Sequence, residues 1–205
     1  MPEESPAQYV RELRLWIGGD SRVPEMFFEY APWFTGVDRM RLLHAGPPSS
    51  PRPLFRRLPL FRTLPQSITS LTLDSAGVVT LVQVRDILAQ LPNLDDLSLS
   101  GPLVAMDRRE LPGIGAALRG RFGGKLLLHG EDVDDDISNM LLEIPSGLRF
   151  SEVRICCPHE HFFPAVRLAE ACGESLVKLS YMDPSLGRSN SFPLSGWFRC
   201  VNHQR

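Results

Sequence analysis

The segment from Cys156 to His161 carries side chains of the kind that bind metal ions. It contains two cysteines and two histidines within six residues, and thiolate and imidazole groups are preferred ligands of zinc. Structural zinc sites, however, need two to four residues between paired ligands and a second pair elsewhere, and this segment does not meet those conditions. We therefore predict buried strand cysteines here and no metal site.

A second group of possible metal ligands is acidic. Asp132, Asp134, Asp136 and Glu143 are spaced like positions 1, 3, 5 and 12 of a calcium-binding loop. The sixth position of such a loop requires glycine for its sharp turn, but here it is Ile137. Because acids near a helix start interact favourably with the helix dipole, we predict a helix start and no calcium site.

The motifs for nucleotide binding and hydrolysis are incomplete. Gly113-Ile-Gly115 begins like a dinucleotide fingerprint, but Pro112 precedes it where a strand is required. The Gly123–Lys125 segment lacks the upstream glycine and the downstream Ser or Thr of a phosphate-binding loop. No Gly-x-Ser-x-Gly elbow occurs, although a triad assembled from distant residues would leave no local pattern. We predict that the protein is not an enzyme and needs no cofactor.

The composition is that of an ordinary globular domain. The 205 residues are 43% hydrophobic and 22% charged, which is enough apolar material for a core. A net charge of −2 gives no reason to expect nucleic acid or a membrane surface as a partner. The acidic N-terminus lacks the apolar stretch of a secretory signal. Four cysteines are ordinary usage for a reducing compartment, so we expect a cytoplasmic or nuclear protein.

A repeated pattern of apolar residues runs through the chain. Apolar residues at offsets 0, 3 and 5 recur seven times, and successive units start 26 to 31 residues apart. The second and third of these residues flank one residue, which is the period of a β-strand, and the flanked residue is polar in six of the seven units. Because single triplets arise often by chance, the prediction of strands depends on their even spacing. The units start at Val10, Val37, Ile68, Leu94, Gly123 (the weakest copy), Phe150 and Leu176.

Helical patterns lie between several of these strands. After Thr80, a possible N-cap, the residues Leu81, Val84, Leu88 and Leu91 form one apolar stripe. Similar stripes begin at Arg108, Val133 and His161. Strands and helices that alternate at about 27 residues predict parallel strands with helical crossovers. We place this repeat domain at residues 9–182, after an N-terminal tail of residues 1–8.

The strand segments resemble the leucine-rich repeat, whose pattern is L-x-x-L-x-L-x-x-N/C-x-L. The first six positions match in six of the seven units, but the ninth position is never Asn or Cys. The resemblance implies an α/β solenoid of about seven irregular, ribonuclease-inhibitor-like repeats. In such a horseshoe, parallel strands form the concave face and helices form the convex face. Without a ladder of Asn side chains, the turns after the strands must be closed by backbone groups or water.

The segments Val79–Gly101 and Leu176–Tyr181 are also similar to the repeats of fungal F-box/leucine-rich-repeat-like proteins. This likeness implies repeats that present a substrate to a ubiquitin ligase, while an F-box docks the ligase adaptor. The first predicted strand begins at about residue 9, which leaves no room for the ~40–50 residues of an F-box. We therefore expect a ubiquitin-ligase adaptor as a partner only if an F-box is present elsewhere in a longer chain.

Two segments fall outside the repeat pattern. Residues 46–65 contain six prolines and four arginines but no acid. We predict an extended loop there, with a polyproline docking strip that includes a phosphorylated Ser50 as the alternative. Residues 183–205 have no periodicity, so we predict a disordered tail or, alternatively, a C-terminal cap that uses Phe192, Trp197 and Phe198.

The strand pattern also predicts which side chains point away from the core. They include six bases and four acids, with bases at both ends of the sheet and acids and serines in the middle. Such a surface lacks the continuous basic stripe of a nucleic-acid reader and suits a protein partner. The alternative is a small doubly wound α/β enzyme, whose strands would be continuous apolar runs. The residues predicted to bind a protein on the concave face are Arg14, Trp16, Arg39, Arg41, Leu43, Asp74, Asp96, Ser98, Lys125, His129, Arg154 and Lys178.

Overall fold

All seven predicted strand segments lie in one sheet, in their order along the chain. The computed structural model describes residues 6–17, 33–44, 66–74, 79–101, 103–104, 113–130, 135–157, 162–183 and 188–192. Within them, seven strands run parallel, and an eighth pairs antiparallel with the last of the seven. The prediction of an α/β protein with parallel strands is therefore confirmed.

Ten strands in all are formed by the described residues. The sheet order is β1-β2-β3-β5-β7-β8-β9-β10, and the two-residue strands β4 and β6 pair with each other separately. The strands are β1 (Glu12–Ile17), β2 (Arg39–His44), β3 (Ser70–Asp74), β4 (Val79–Thr80), β5 (Asp96–Ser100), β6 (Leu103–Val104), β7 (Lys125–His129), β8 (Glu152–Cys156), β9 (Lys178–Asp183) and β10 (Arg188–Phe192).

The register places equivalent repeat positions side by side. The second apolar residue of each unit forms a row across the sheet from Leu13 to Leu179, and the third forms a row from Leu15 to Tyr181. Both rows are buried from β2 to β9. A slip of one residue in any strand would turn these side chains to solvent, so burial of the two rows fixes the register.

Within the described residues, three α-helices pack on the buried side of the sheet. They are α1 (Leu81–Leu88), α2 (Asp135–Leu142) and α3 (Phe162–Cys172). Leu88 of α1, Met140 of α2 and Leu168 of α3 belong to the same core cluster as the inward side chains of the strands. The stripe predicted after Thr80 is confirmed as a buried helix face over α1, and the stripe predicted from Val133 is confirmed over α2, while Val133 itself lies outside the described residues. α2 begins at Asp135, which agrees with the prediction that the acidic segment starts a helix.

The turns after β5, β7 and β8 are closed by backbone groups, as the absence of an Asn ladder predicts. The residue that follows each of these strands donates its N–H to a carbonyl at or near the end of the next strand. These bonds run from Gly101 to His129 at 3.0 Å, from Gly130 to Cys156 at 3.1 Å and from Cys157 to Met182 at 3.2 Å. Successive units are thus joined by hydrogen bonds that need no particular side chain.

The structure departs from the sequence prediction at two elements. The stripe that starts at Arg108 forms no α-helix within residues 113–130, where a single 3₁₀ turn, Ile114–Ala117, precedes the buried Leu118. Residues 188–192, within the segment predicted to be a disordered tail or a C-terminal cap, form β10 of the sheet, a strand that the sequence pattern does not predict.

The other segments outside the repeat pattern stay predictions. Residues 46–65, residues 193–205 and the first five residues lie outside the described part of the structure. In the part that is described, no helix is both long and apolar enough to cross a membrane.

Candidate functional site

The strand side chains that point away from the core form one face of the sheet, which we call the polar face. It consists of three rows of side chains that run across the strands. Two of the rows begin at Glu12 and Arg14 on β1, the third is described from Leu43 on β2, and all three end on β9. Exposed side chains such as Arg154 and His129 make this face accessible to solvent.

One end of the polar face carries an ion-pair group, the first cluster, formed by Glu12, Arg14 and Arg41. The carboxylate of Glu12 lies 2.8 Å from Nε of Arg14 and 3.0 Å from Nε of Arg41 on the next strand. The hydrogen bond from Arg14 lowers the pKa of Glu12 and outweighs the opposing effect of desolvation, and the charges of Arg14 and Arg41 lower the pKa further. With two bases and one acid, the first cluster has a net charge of +1.

The other end of the polar face repeats this arrangement with one more base. In this second cluster Glu152 lies 2.6 Å from Nε of Arg154, 3.1 Å from Nζ of Lys178 and 3.7 Å from Nζ of Lys125. Hydrogen bonds from Arg154 and Lys178 lower the pKa of the Glu152 carboxyl, while its partial burial opposes them. The Glu152 side chain is only 13% exposed, whereas that of Lys178 is 48% exposed. The acid therefore lies beneath the bases, and the second cluster presents a net charge of +2 to solvent.

Between the centre of the sheet and the second cluster lies a depression of about 490 Å³. Its lining includes two apolar side chains, Leu127 and Met182, which are 37% and 39% exposed. At its margin the hydroxyl of Ser100 donates to Oδ1 of Asp74 at 2.9 Å. Five of the residues predicted to bind a partner line this depression: Asp74, Ser98, His129, Arg154 and Lys178.

The remaining predicted residues lie elsewhere on the polar face or outside the described residues. Arg14, Arg39 and Arg41 are exposed at the β1–β2 end, and Leu43 on β2 is half-buried. The side chain of Trp16 lies outside the described part of the structure. The predicted set is therefore spread over both ends and the middle of one face.

Asp96 has a structural role that sequence reasoning missed. Just before the strands, one backbone carbonyl of a unit accepts two consecutive N–H groups of the next unit. The carbonyl of Gly124, for example, accepts the N–H groups of Ser151 and Glu152. At the β5–β7 junction, Oδ1 of Asp96 instead accepts the N–H of Lys125 at 2.7 Å. Gly124 is required beside it, since a Cβ at that position would overlap the same carboxylate oxygen. One carboxylate oxygen of Asp96, Oδ1, is thus used in a hydrogen bond within the sheet. The side chain still contributes a negative charge to the polar face.

The cysteines of the described residues are structural. Cys156, Cys157 and Cys172 are buried thiols, which confirms the predicted burial of the first two, at the end of β8 and directly after it. Burial raises the pKa of Cys172 to about 11, so its thiol is protonated and unreactive near neutral pH. His159 and His161 lie outside the described residues. Among the described residues, no group of three or more His, Cys, Asp or Glu side chains is placed to hold a metal ion.

Glu143, the last acid of the calcium-like pattern, is engaged within the fold. Its two carboxylate oxygens accept the N–H groups of Gly113 at 3.1 Å and Gly115 at 3.0 Å, in the turn of the preceding unit. Asp132 and Asp134 lie outside the described residues. Glu143 therefore ties the end of α2 to the neighbouring turn, a role for which no local sequence signal exists.

The chemistry available on the polar face is that of recognition. Guanidinium and ammonium groups at its two ends can bind carboxylates, the hydroxyls between them can donate or accept, and Leu127 and Met182 offer apolar contact. Comparison with protein-family models, curated proteins and solved structures gives no match to this chain.

Proposed function

We propose that this protein is a non-enzymatic interaction module that binds a protein partner on its polar face. The observation that carries the proposal is the alignment of charged, hydroxyl and apolar side chains in three rows on the accessible side of the sheet. Mixed charge with half-exposed apolar residues is typical of surfaces that recognise proteins. The ion pairs around Glu12 and Glu152 hold the bases in fixed positions, which lowers the entropic cost of binding.

The finer form of the proposal is a leucine-rich-repeat solenoid of about seven repeats. Sequential strand order, equivalent residues in register and helices packed on one side support it. In a longer chain that carries an F-box, these repeats would recognise the substrate of a ubiquitin ligase. Each stacked repeat would then extend the same binding face by one strand.

A doubly wound α/β enzyme is the less favoured reading. Its ligand site would lie at a point where the strand order reverses, and both sheet faces would be covered by helices. The seven parallel strands follow the chain order without a reversal. In the middle row of the polar face, which begins at Arg14, Leu127 is the one apolar side chain.

The test compares capture of proteins from a native extract by the wild-type chain and by Arg41→Glu/Arg154→Glu. The control is Arg167→Glu, which reverses one such charge on the exposed side of α3. We expect a discrete set of proteins that the control retains and the double variant loses, followed by direct binding of the purified candidate. Equal recovery by all three chains, with folding verified by circular dichroism, would move binding away from the polar face.

A further inference from the structure

We infer that the polar face recognises an extended segment of its partner in which two acidic groups lie about six residues apart, with a basic residue between them. This inference rests on the proposed function and goes further by giving the charge pattern of the bound segment. It follows from the positions of the two clusters, the acids between them and the spacing of the strands.

The distance between the clusters sets the spacing of the acidic groups. Arg41 and Arg154 lie in the same row, with Thr72, Ser98 and Leu127 between them. Four strand-to-strand steps of about 4.8 Å separate the two arginines by about 19 Å along the sheet. An extended chain advances about 3.3 Å per residue, so two acids six positions apart reach both arginines.

The charges at the two ends favour acids in the ligand. Each cluster contains more bases than acids, and its acid lies beneath bases that are about half exposed: Arg41 is 48% and Arg154 is 53% exposed. Nε of Arg154 donates to Glu152, and Nε of Arg41 lies 3.0 Å from an oxygen of Glu12. Each guanidinium is thus held by an ion pair, and its terminal N–H groups can bind a carboxylate of the ligand. A carboxylate approaching either end gains a charge-assisted hydrogen bond to a preorganised donor.

The middle of the face has the opposite charge. Asp74 and Asp96 flank the row between the two arginines, on β3 and β5. A basic side chain at the centre of the ligand would lie between these two carboxylates and be attracted by both, whereas a central acid would be repelled by them. Next to them, the 37%-exposed side chain of Leu127 can pack against an apolar residue or the aliphatic stem of a lysine.

The same pattern argues against a nucleic acid as the occupant. A phosphodiester backbone presents negative charge at every residue, so its central phosphates would lie over Asp74 and Asp96. Binding of a continuous polyanion requires a continuous basic track, and here the two basic clusters are separated by acids and hydroxyls. An alternating acid–base–acid protein segment fits the three zones.

The experiment uses a phage library that displays random peptides of about 12 residues, a length that spans both clusters. The library is selected for binding to the full chain. Selected pools are screened against Arg41→Glu, Arg154→Glu and the control Arg167→Glu. Enriched peptides are then synthesised with a fluorophore, and their dissociation constants are measured by anisotropy at low and moderate salt.

We expect enriched sequences with acids five to seven positions apart and a lysine or arginine between them. Each polar-face variant should weaken binding at least tenfold, and Arg167→Glu should leave it unchanged. Inserting two glycines between the acids, or replacing the central base with glutamate, should also weaken binding about tenfold. Raised salt should weaken it further, because the contacts are between exposed charges.

The remaining outcomes separate this inference from the proposed function. Peptides that need Arg41 or Arg154 but lack the acid–base–acid pattern would overturn the inference and leave the polar face as a binding surface. Peptides that bind all variants equally, or a failure to enrich any peptide, would count against both.

Discussion

At the scale of single residues, Glu152 stabilises the second cluster by an amount that depends on pH. Its pKa is lowered in the folded state from an ordinary value of 4.5, chiefly by the hydrogen bond from Arg154. The resulting stabilisation is fully present above about pH 4.5 and is lost as the pH falls through the lower, folded-state value. Because the bases are half exposed and screened by solvent, we expect Glu152→Gln to reduce the free energy of unfolding by at most about 1 kcal/mol at neutral pH.

Urea unfolding of both chains at about pH 7 and about pH 3 measures this dependence. The difference between wild type and Glu152→Gln should shrink toward zero at the lower pH. The control Glu170→Gln alters an exposed acid of α3 and should differ little from wild type at either pH. A difference for Glu152→Gln that stays constant across this range would contradict an electrostatic origin.

Asp96 differs from the other acids of the polar face because its side chain replaces a backbone acceptor. Asp96→Ala leaves the N–H of Lys125 without its partner at the β5–β7 junction. We expect a loss of about 1–3 kcal/mol in unfolding free energy and faster hydrogen exchange at the Lys125 amide. Asp96→Asn keeps an oxygen acceptor at the same position and should recover most of the loss. Equal destabilisation by both substitutions would assign the effect to charge.

At the scale of the elements, the alternation of buried and exposed residues makes a direct prediction about β5 and β7. Leu97 of β5 is 1% exposed in the core, whereas Leu127 of β7 is 37% exposed on the polar face. Leu97→Ala should cost about 2–5 kcal/mol of unfolding free energy, and Leu127→Ala should change it by less than about 0.5 kcal/mol. Thermal or urea unfolding of the two variants checks this, and similar losses for both would mean that the assigned faces are wrong.

The parallel strands were predictable because their signal is local and repeated. Two apolar residues flanking one outward residue recur in every unit, so Leu97 and Leu99 define β5 without knowledge of its neighbours. By contrast, β10 reads Arg-Ser-Asn-Ser-Phe and has no apolar alternation, so its pairing with β9 is visible only in the fold. The same holds for Glu143, whose two bonds reach residues 28 and 30 positions away.

The sequence predicts which side chains share the face of the candidate site, but it does not predict the hydrogen bonds and ion pairs that each of them makes. Strand periodicity places Asp74, Asp96 and Arg154 on one side of the sheet, because alternate side chains share a face. It does not tell which acid is held by a backbone group or which lies beneath bases. Those roles depend on partners in other strands, which a single segment of sequence does not contain.

At the scale of the whole molecule, each of the seven parallel strands pairs only with the parallel strands of the preceding and following units, and β9 also pairs with β10. Stability in such an array is approximately the sum of local terms and neighbour interfaces, so an end can be changed without unfolding the centre. Strand β10 covers the edge of β9 by antiparallel pairing at residues 188–192. We therefore expect β10 to protect the backbone amides of β9 from hydrogen exchange and to leave the other strands unaffected.

Truncation after Asp183 removes β10 and uncovers the edge of β9, so it tests this separation of end from centre. We expect faster hydrogen exchange in β9 and unchanged exchange in β3 and β5, because the loss affects only the adjacent interface. A matched truncation after Phe192 retains β10 and should leave the β9 amides protected. If the truncation after Asp183 instead raised exchange uniformly across the sheet, the molecule would unfold as a single cooperative unit, and the edge strand would contribute to the stability of the polar face as a whole.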